Sequence, residues 1–115
     1  MSFVHQTHIL KRLIHLRGQN AEVFRPKENE FHEPDGQCQV GQYRGLFHEA
    51  NGYLGTLTGE AGKTYTAKQP MFLTLYTDQL RKEDLMEIKG TRYRIIGLDN
   101  LGNLHIFLDI SLEVV

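Results

Sequence analysis

Cysteine is almost missing from this chain: Cys38 is the only one among 115 residues. An intramolecular disulfide, a zinc ribbon and a CxxC redox site are therefore excluded. Cys38 itself reads as a small half-buried residue, and its solitude favours an intracellular setting. Long apolar runs are missing too. None approaches the roughly 20 residues of a membrane span. The N-terminus lacks the basic region, apolar core and small-residue cleavage site of a secretory leader. The chain is expected to stay where it is made, or in a particle assembled there. An excess of one charge is also lacking. The formal net charge is -1, so the whole molecule exerts no basic pull on nucleic acid. No low-complexity segment or internal repeat occurs.

What is present suits one globular domain over 1–115. Hydrophobic residues make up 40% and charged residues 23%, a globular balance that supports a modest core. The charges are unevenly placed. Residues 1–25 carry Lys11, Arg12, Arg17 and Arg25 against Glu22 alone, whereas residues 26–35 carry Glu28, Glu30, Glu33 and Asp35 against Lys27.

The strongest periodic signal is the end of the chain. Leu104, Ile106, Leu108, Ile110, Leu112 and Val114 alternate with mostly polar residues, which predicts a strand with one dry face over 104–115. Upstream, Thr91–Asp99 is a second strand, joined through Asn100-Leu101-Gly102-Asn103. Its apolar face switches between Ile95 and Ile96, beside Gly97, so a bulge belongs there. Leu85–Ile88 is a third strand, turning at Lys89-Gly90. Residues 3–17 have helical spacing, with Ile9, Leu10, Leu13, Ile14 and Leu16 on one broad face and Gly18 at the end.

The middle is less regular. Ala21–Arg25 is a short strand, and Pro26 and Pro34 bracket a charged loop or arm over 26–37. Phe31 is the one large apolar residue in it; the simpler expectation is that it folds back on the core rather than anchoring the arm on a partner. Gln39–Ala50 is a strand ending at the hairpin signal Asn51-Gly52, with Tyr53–Leu57 returning. A loop or arm follows over 52–69. Thr64-Tyr65-Thr66 is strand-like until Pro70 breaks it, Met71–Tyr76 is a further strand, and Asp78–Asp84 suits one helical turn. The expected fold is mainly β: a small antiparallel β-barrel or sandwich of about six strands, body 21–115, with one N-terminal α-helix and long flexible loops.

Chemical motifs come close and fail. Gly59-Glu60-Ala61-Gly62-Lys63-Thr64 resembles a phosphate loop, but the nucleotide pattern places four residues before Gly-Lys-Thr, and Leu57 occupies the first glycine's place. His105, Asp109 and Ser111 share a strand face, yet His105 and Asp109 would stand about 13 Å apart along it, too far for a triad. His5 and His8 could reach one metal on a helix face, but no carboxylate lies in the segment, so they read as surface histidines. Lys89, Arg92 and Arg94 make a basic patch beside Tyr93. Such a patch can hold nucleic acid, although a solvated sheet face is the better reading.

The order of pieces resembles small head–tail adaptor or head-completion proteins of tailed phages, most of all the version in PBSX-type defective prophages of Bacillus. The resemblance rests on Arg17-Gly18, Val23-Phe24-Arg25, Leu75-Tyr76, Asp84-Leu85-Met86-Glu87-Ile88-Lys89-Gly90, Tyr93-Arg94-Ile95-Ile96-Gly97 and the long closing strand. It implies a ring-forming subunit under the portal that closes the filled head and docks the tail, first in the bacterial cytoplasm and then in the virion neck. Its implied partners are the portal or adaptor ring, a tail-completion protein and further copies of itself. It implies no catalytic residue, cofactor or metal. A loop narrowing the DNA channel would correspond to Glu28–Gln37 or Gly52–Gln69. Lys63 and Lys68 would suit contact with packaged duplex DNA, since cations neutralise phosphates without reading bases; they equally suit the role of ordinary solubilising charges. The other contact candidates are Phe31, Arg92 and Arg94. The alternative is a small barrel module that binds nucleic acid or peptide through Lys89, Arg92, Tyr93 and Arg94.

Overall fold

The computed structural model describes residues 3–53 and 66–115. A helix, α1 (Phe3–Arg17), leads into six strands: β1 (Gln19–Glu28), β2 (Pro34–Tyr53), β3 (Thr66–Leu75), β4 (Leu85–Ile88), β5 (Thr91–Asn100) and β6 (Phe107–Val114). All pairings are antiparallel, and the strand order β1-β2-β3-β6-β5-β4 closes on itself because β4 pairs with β1. The expected mainly β fold with one N-terminal helix is thus the observed one. Closure removes the open sheet edge that would otherwise invite mispairing.

The barrel fills from inward residues of nearly every strand. Ala21 and Val23 of β1, Phe72 of β3, Met86 and Ile88 of β4, Ile95 of β5, and Leu108, Ile110 and Leu112 of β6 form one buried cluster with Leu80. β2 adds the partly buried Val40, Tyr43 and Phe47. Gly45 of β2 has a steric reason: a Cβ there would stand 2.6 Å from the Phe72 ring and 2.5 Å from the Leu73 carbonyl oxygen. Its absence lets the largest core side chain lie against the β2 backbone.

The β4–β5–β6 half follows the alternation. Lys89 and Gly90 take φ of 50° and 80°, the paired positive angles of a tight two-residue hairpin. A register shift between Ile95 and Gly97 is the expected bulge. The last strand is shorter than its pattern. It begins at Phe107, which is buried, and Leu104 is exposed. The cause is local: Gly102, Asn103 and His105 adopt φ of 61°, 55° and 59°, and the Asn100 side chain accepts the His105 amide at 2.9 Å. That conformation is incompatible with a strand before Ile106.

Three expectations in the middle are corrected. Asn51-Gly52 is no turn, because Asn51, Gly52 and Tyr53 continue β2 opposite Lys68, Ala67 and Thr66. Pro70 does not break β3. It pairs with Glu49 where β6 pairing has already ended, and the Gln69 side-chain amide donates to the Leu112 carbonyl beside it. A proline at such an edge costs no ladder bond. Residues 78–84 form bends and a turn rather than a helical turn. The returning strand after Tyr53, the Gly59–Thr64 motif with Lys63, and Thr64-Tyr65 lie outside the described residues.

Candidate interaction surfaces

Residues 26–37 are the first surface, and they are a paired ribbon rather than a loop. Pro26 faces Gln37 and Glu28 faces Pro34. β1 is buried at Ala21 and Val23 but bare from Pro26 to Glu28, and β2 is bare from Pro34 to Gln37. The ribbon therefore stands clear of the barrel as an arm. Asn29 organises its tip. Its side-chain oxygen accepts the amides of Phe31 and Glu33, both at 2.9 Å, its own amide donates to the Glu33 carbonyl at 2.9 Å, and its carbonyl accepts the His32 amide at 3.0 Å. Asparagine suits this place because its short amide satisfies nearby backbone donors. Phe31 does not fold back on the core: it is 72% exposed. Glu28, Glu30, Glu33 and Asp35 surround it, all exposed, with His32 3.2 Å from Glu28.

The arm is bolted at its root. Arg25 donates through Nε and Nη2 to the two oxygens of Asp84, each at 2.9 Å, and through Nη2 to the Gln79 carbonyl. Asp84 is 2% exposed and also accepts the Arg81 amide at 2.9 Å. A bidentate pair of this kind fixes direction as well as distance. The Asp84 hydrogen bond raises the Arg25 pKa above its ordinary value. Beside it, the Tyr43 hydroxyl donates to Gln79 Oε1 at 2.7 Å. Burial raises the Tyr43 phenol, against the opposing pull of Arg25.

Helix α1 is the second surface. Gly18 ends it by donating to the Ile14 carbonyl at 3.0 Å, and Arg44 Nε of β2 donates to the Ile14 and His15 carbonyls at 3.1 Å. A cation on the last carbonyls suits the negative end of the helix. The barrel buries Ile14 alone among the α1 residues whose side chains are described, and leaves Ile9 (40% exposed), Leu13 (41%) and Leu16 (59%) open. With Arg12 and Arg17 these three line a shallow groove. The sequence pattern located this apolar face; only the fold shows that the barrel leaves it uncovered.

The expected basic patch is largely neutralised. Arg94 meets Glu113 at 2.6 Å and Glu83 at 3.8 Å, and Arg92 lies 3.6 Å from Glu87. The Glu113 hydrogen bond raises the Arg94 pKa. Arg92 also sits over the Phe24 ring, 5.7 Å from its centre. Lys68 is exposed on β3 opposite Asn51. In the sheet order only β6 stands between it and Arg92 and Arg94 on β5.

The supposed triad members also part company. His105 packs edge-on against Tyr76, 4.7 Å between ring centres, while Asp109 Oδ1 lies 2.9 Å from His48 Nε2. Among the described residues no group of three or more His, Cys, Asp or Glu side chains converges as a metal site, and no helix is long and apolar enough to cross a membrane. Comparison with protein-family models gives no match, and comparison with curated proteins gives none either.

Proposed function

We propose that this chain is a structural assembly subunit, specifically a neck component of a phage-like particle. In this reading it forms a ring between the portal or adaptor and the tail, closes the filled head and docks the tail. The observation that carries it is the arm over 26–37, which leaves the barrel carrying a 72% exposed Phe31 at an ordered tip. An apolar ring held out in water adds nothing to the core, and such a residue suits burial against another protein. The open apolar face of α1 supports the same reading, and the order of sequence motifs supports the neck in particular. The paired states of Arg92 and Arg94 weaken the alternative of a nucleic-acid module, since a phosphate would have to displace Glu87 and Glu113.

Co-expression with the products of the flanking genes, imaged by negative stain, tests the proposal. Capsid and tail genes on either side and ring-shaped complexes containing this chain are expected. Flanking genes of another kind, or a chain that stays apart from capsid and tail partners, would refute the neck. Titration against labelled duplex DNA at two salt concentrations tests the alternative. Salt-dependent binding that disappears with Arg92→Ala plus Arg94→Ala would replace the assembly reading with the binding module.

A further inference from the structure

Two surfaces of the chain complement each other and sit at opposite ends of β1. The α1 groove is apolar along Ile9, Leu13 and Leu16 and is flanked by Arg12 and Arg17; the helix holds no carboxylate anywhere in its length. The arm tip is the reverse, an exposed aromatic ring set among Glu28, Glu30, Glu33 and Asp35. α1 ends at Arg17, and β1 runs from Gln19 to Glu28 at the base of the tip, with register shifts at Val23/Phe24 and Pro26/Glu28. Those nine steps of strand span at most about 30 Å. The arm is tied at its root by Arg25 and Asp84, so it does not fold back to bridge that distance.

We propose that the arm tip of one copy docks in the α1 groove of the next, with Phe31 seated between Leu13 and Leu16 and with Arg12 and Arg17 facing Glu30 and Glu33. This names the self-association surface of the assembly proposed above and rests on that reading. The contact joins two different patches and is therefore heterologous, the type that closes into a ring when the rotation permits. The tip needs little ordering, because Asn29 already holds the backbone of Phe31 and Glu33, and preorganisation lowers the cost of binding. One tip in one groove is a small interface, weak by itself. In a ring every copy makes the contact twice, and closure raises the effective strength.

A charge-swap experiment tests this by sedimentation velocity over a range of concentrations. One variant carries Arg12→Glu and Arg17→Glu; the other carries Glu30→Arg and Glu33→Arg. Each alone is expected to be a monomer where the parent chain associates. Their mixture restores association, because each variant's groove now suits the other's tip. Phe31→Ser in both partners should weaken the mixture by about tenfold or more, as loss of a buried aromatic anchor does. All these positions are exposed, and thermal melts check that each variant folds.

A rescue that ignores Phe31→Ser reports bulk charge attraction and overturns the docking. Association that survives both charge reversals but falls with Leu13→Ser reports helix-to-helix pairing, and overturns it too. A parent chain that stays monomeric at every concentration also refutes this interface. In each of these cases the neck proposal stands or falls separately, on whether rings form with the flanking-gene products.

Discussion

The two halves of β1 are made of one strand and obey different rules. From Gln19 to Val23 the alternate residues Ala21 and Val23 are buried, and from Pro26 to Glu28 none is. The first half belongs to the barrel, where Ala21 and Val23 join one buried cluster with Phe72, Met86 and Ile110 and leaving them out costs core energy. The second half is exposed and pairs with β2. What holds it is backbone pairing with β2 and the hydrogen bonds of Asn29. A two-stranded ribbon without a covered face is marginal in water, so the bolt between Arg25 and Asp84 at the junction matters more than its single position suggests. The difference teaches that folding energy is spread unevenly along this strand. The body carries it, and on the proposed assembly reading the arm is left for a partner to cover.

The largest effect should come from the body. Phe72 is fully buried at the centre of the cluster, and Phe72→Ala is expected to cost about 3–5 kcal/mol, lost transfer energy plus the cavity left behind. Urea denaturation followed by circular dichroism measures it. A loss below about 1 kcal/mol would mean that the barrel is loosely packed, which would break the contrast between body and arm.

The junction comes next. Asp84→Ala removes the two carboxylate acceptors of Arg25, leaves it only the Gln79 carbonyl, and strands the Arg81 amide. Because Arg25 keeps about a third of its side chain in water, the loss should fall below that of a fully buried pair, at about 2–3 kcal/mol. The sharper measurement is hydrogen exchange. Protection of the arm amides at Phe31 and Glu33 should fall more than protection in β6, since the arm loses its anchor while the far wall of the barrel does not. Equal losses everywhere would show that Asp84 serves the whole barrel and not the arm's direction.

Most of the body could be read in the sequence, and most of the arm could not. β4, β5 and the core of β6 were legible because burial on one face imposes a period of two, and because Lys89-Gly90 and Gly97 mark the turn and the bulge. The same logic misplaced the start of β6. Leu104 keeps the period, but the bond from Asn100 to the His105 amide forces left-handed backbone there. The arm had no period to read, since nothing covers either face of it. Asn51-Gly52 has ideal turn chemistry, yet β3 offers those residues a longer ladder, and tertiary pairing overrides the local preference. The α1 stripe was legible as apolar. Whether a helix face is covered by its own barrel or by a neighbour leaves no trace in its spacing. The pair Arg25 and Asp84 lies 59 residues apart in the chain, and no local pattern announces it.

A smaller effect sits on the body side of the junction, at Tyr43. Burial raises its phenol above the usual value of about 10. Below that pH the group is neutral folded and unfolded, and it contributes no pH dependence. As pH rises past about 10 the unfolded chain releases the proton first, so folding stability falls until the folded phenol ionises as well. Tyr43→Phe should flatten that alkaline decline relative to the parent. At neutral pH it should cost about 1 kcal/mol, the worth of the hydrogen bond to Gln79. Melting temperatures at neutral pH and above pH 10 check both. A parallel decline in the two proteins would mean that other groups control the alkaline limit.

The smallest effect is expected at the other phenylalanine, and it is the most telling. Phe31→Ala removes an aromatic ring of the same size as Phe72, but from a site where the ring meets mostly water. The bonds that shape the tip run from the Phe31 and Glu33 amides to Asn29, and from Asn29 to the Glu33 carbonyl. They involve no atom of the Phe31 side chain, so alanine keeps all of them. The monomer's stability should therefore change by no more than about 0.5 kcal/mol, the usual range for an exposed substitution. The Phe31 and Glu33 amides should also exchange as slowly as before. A loss above about 2 kcal/mol would show that the ring packs on the body in solution, because only buried apolar area carries energy of that size. The arm would then be part of the core, and its exposed tip could no longer be explained by a partner.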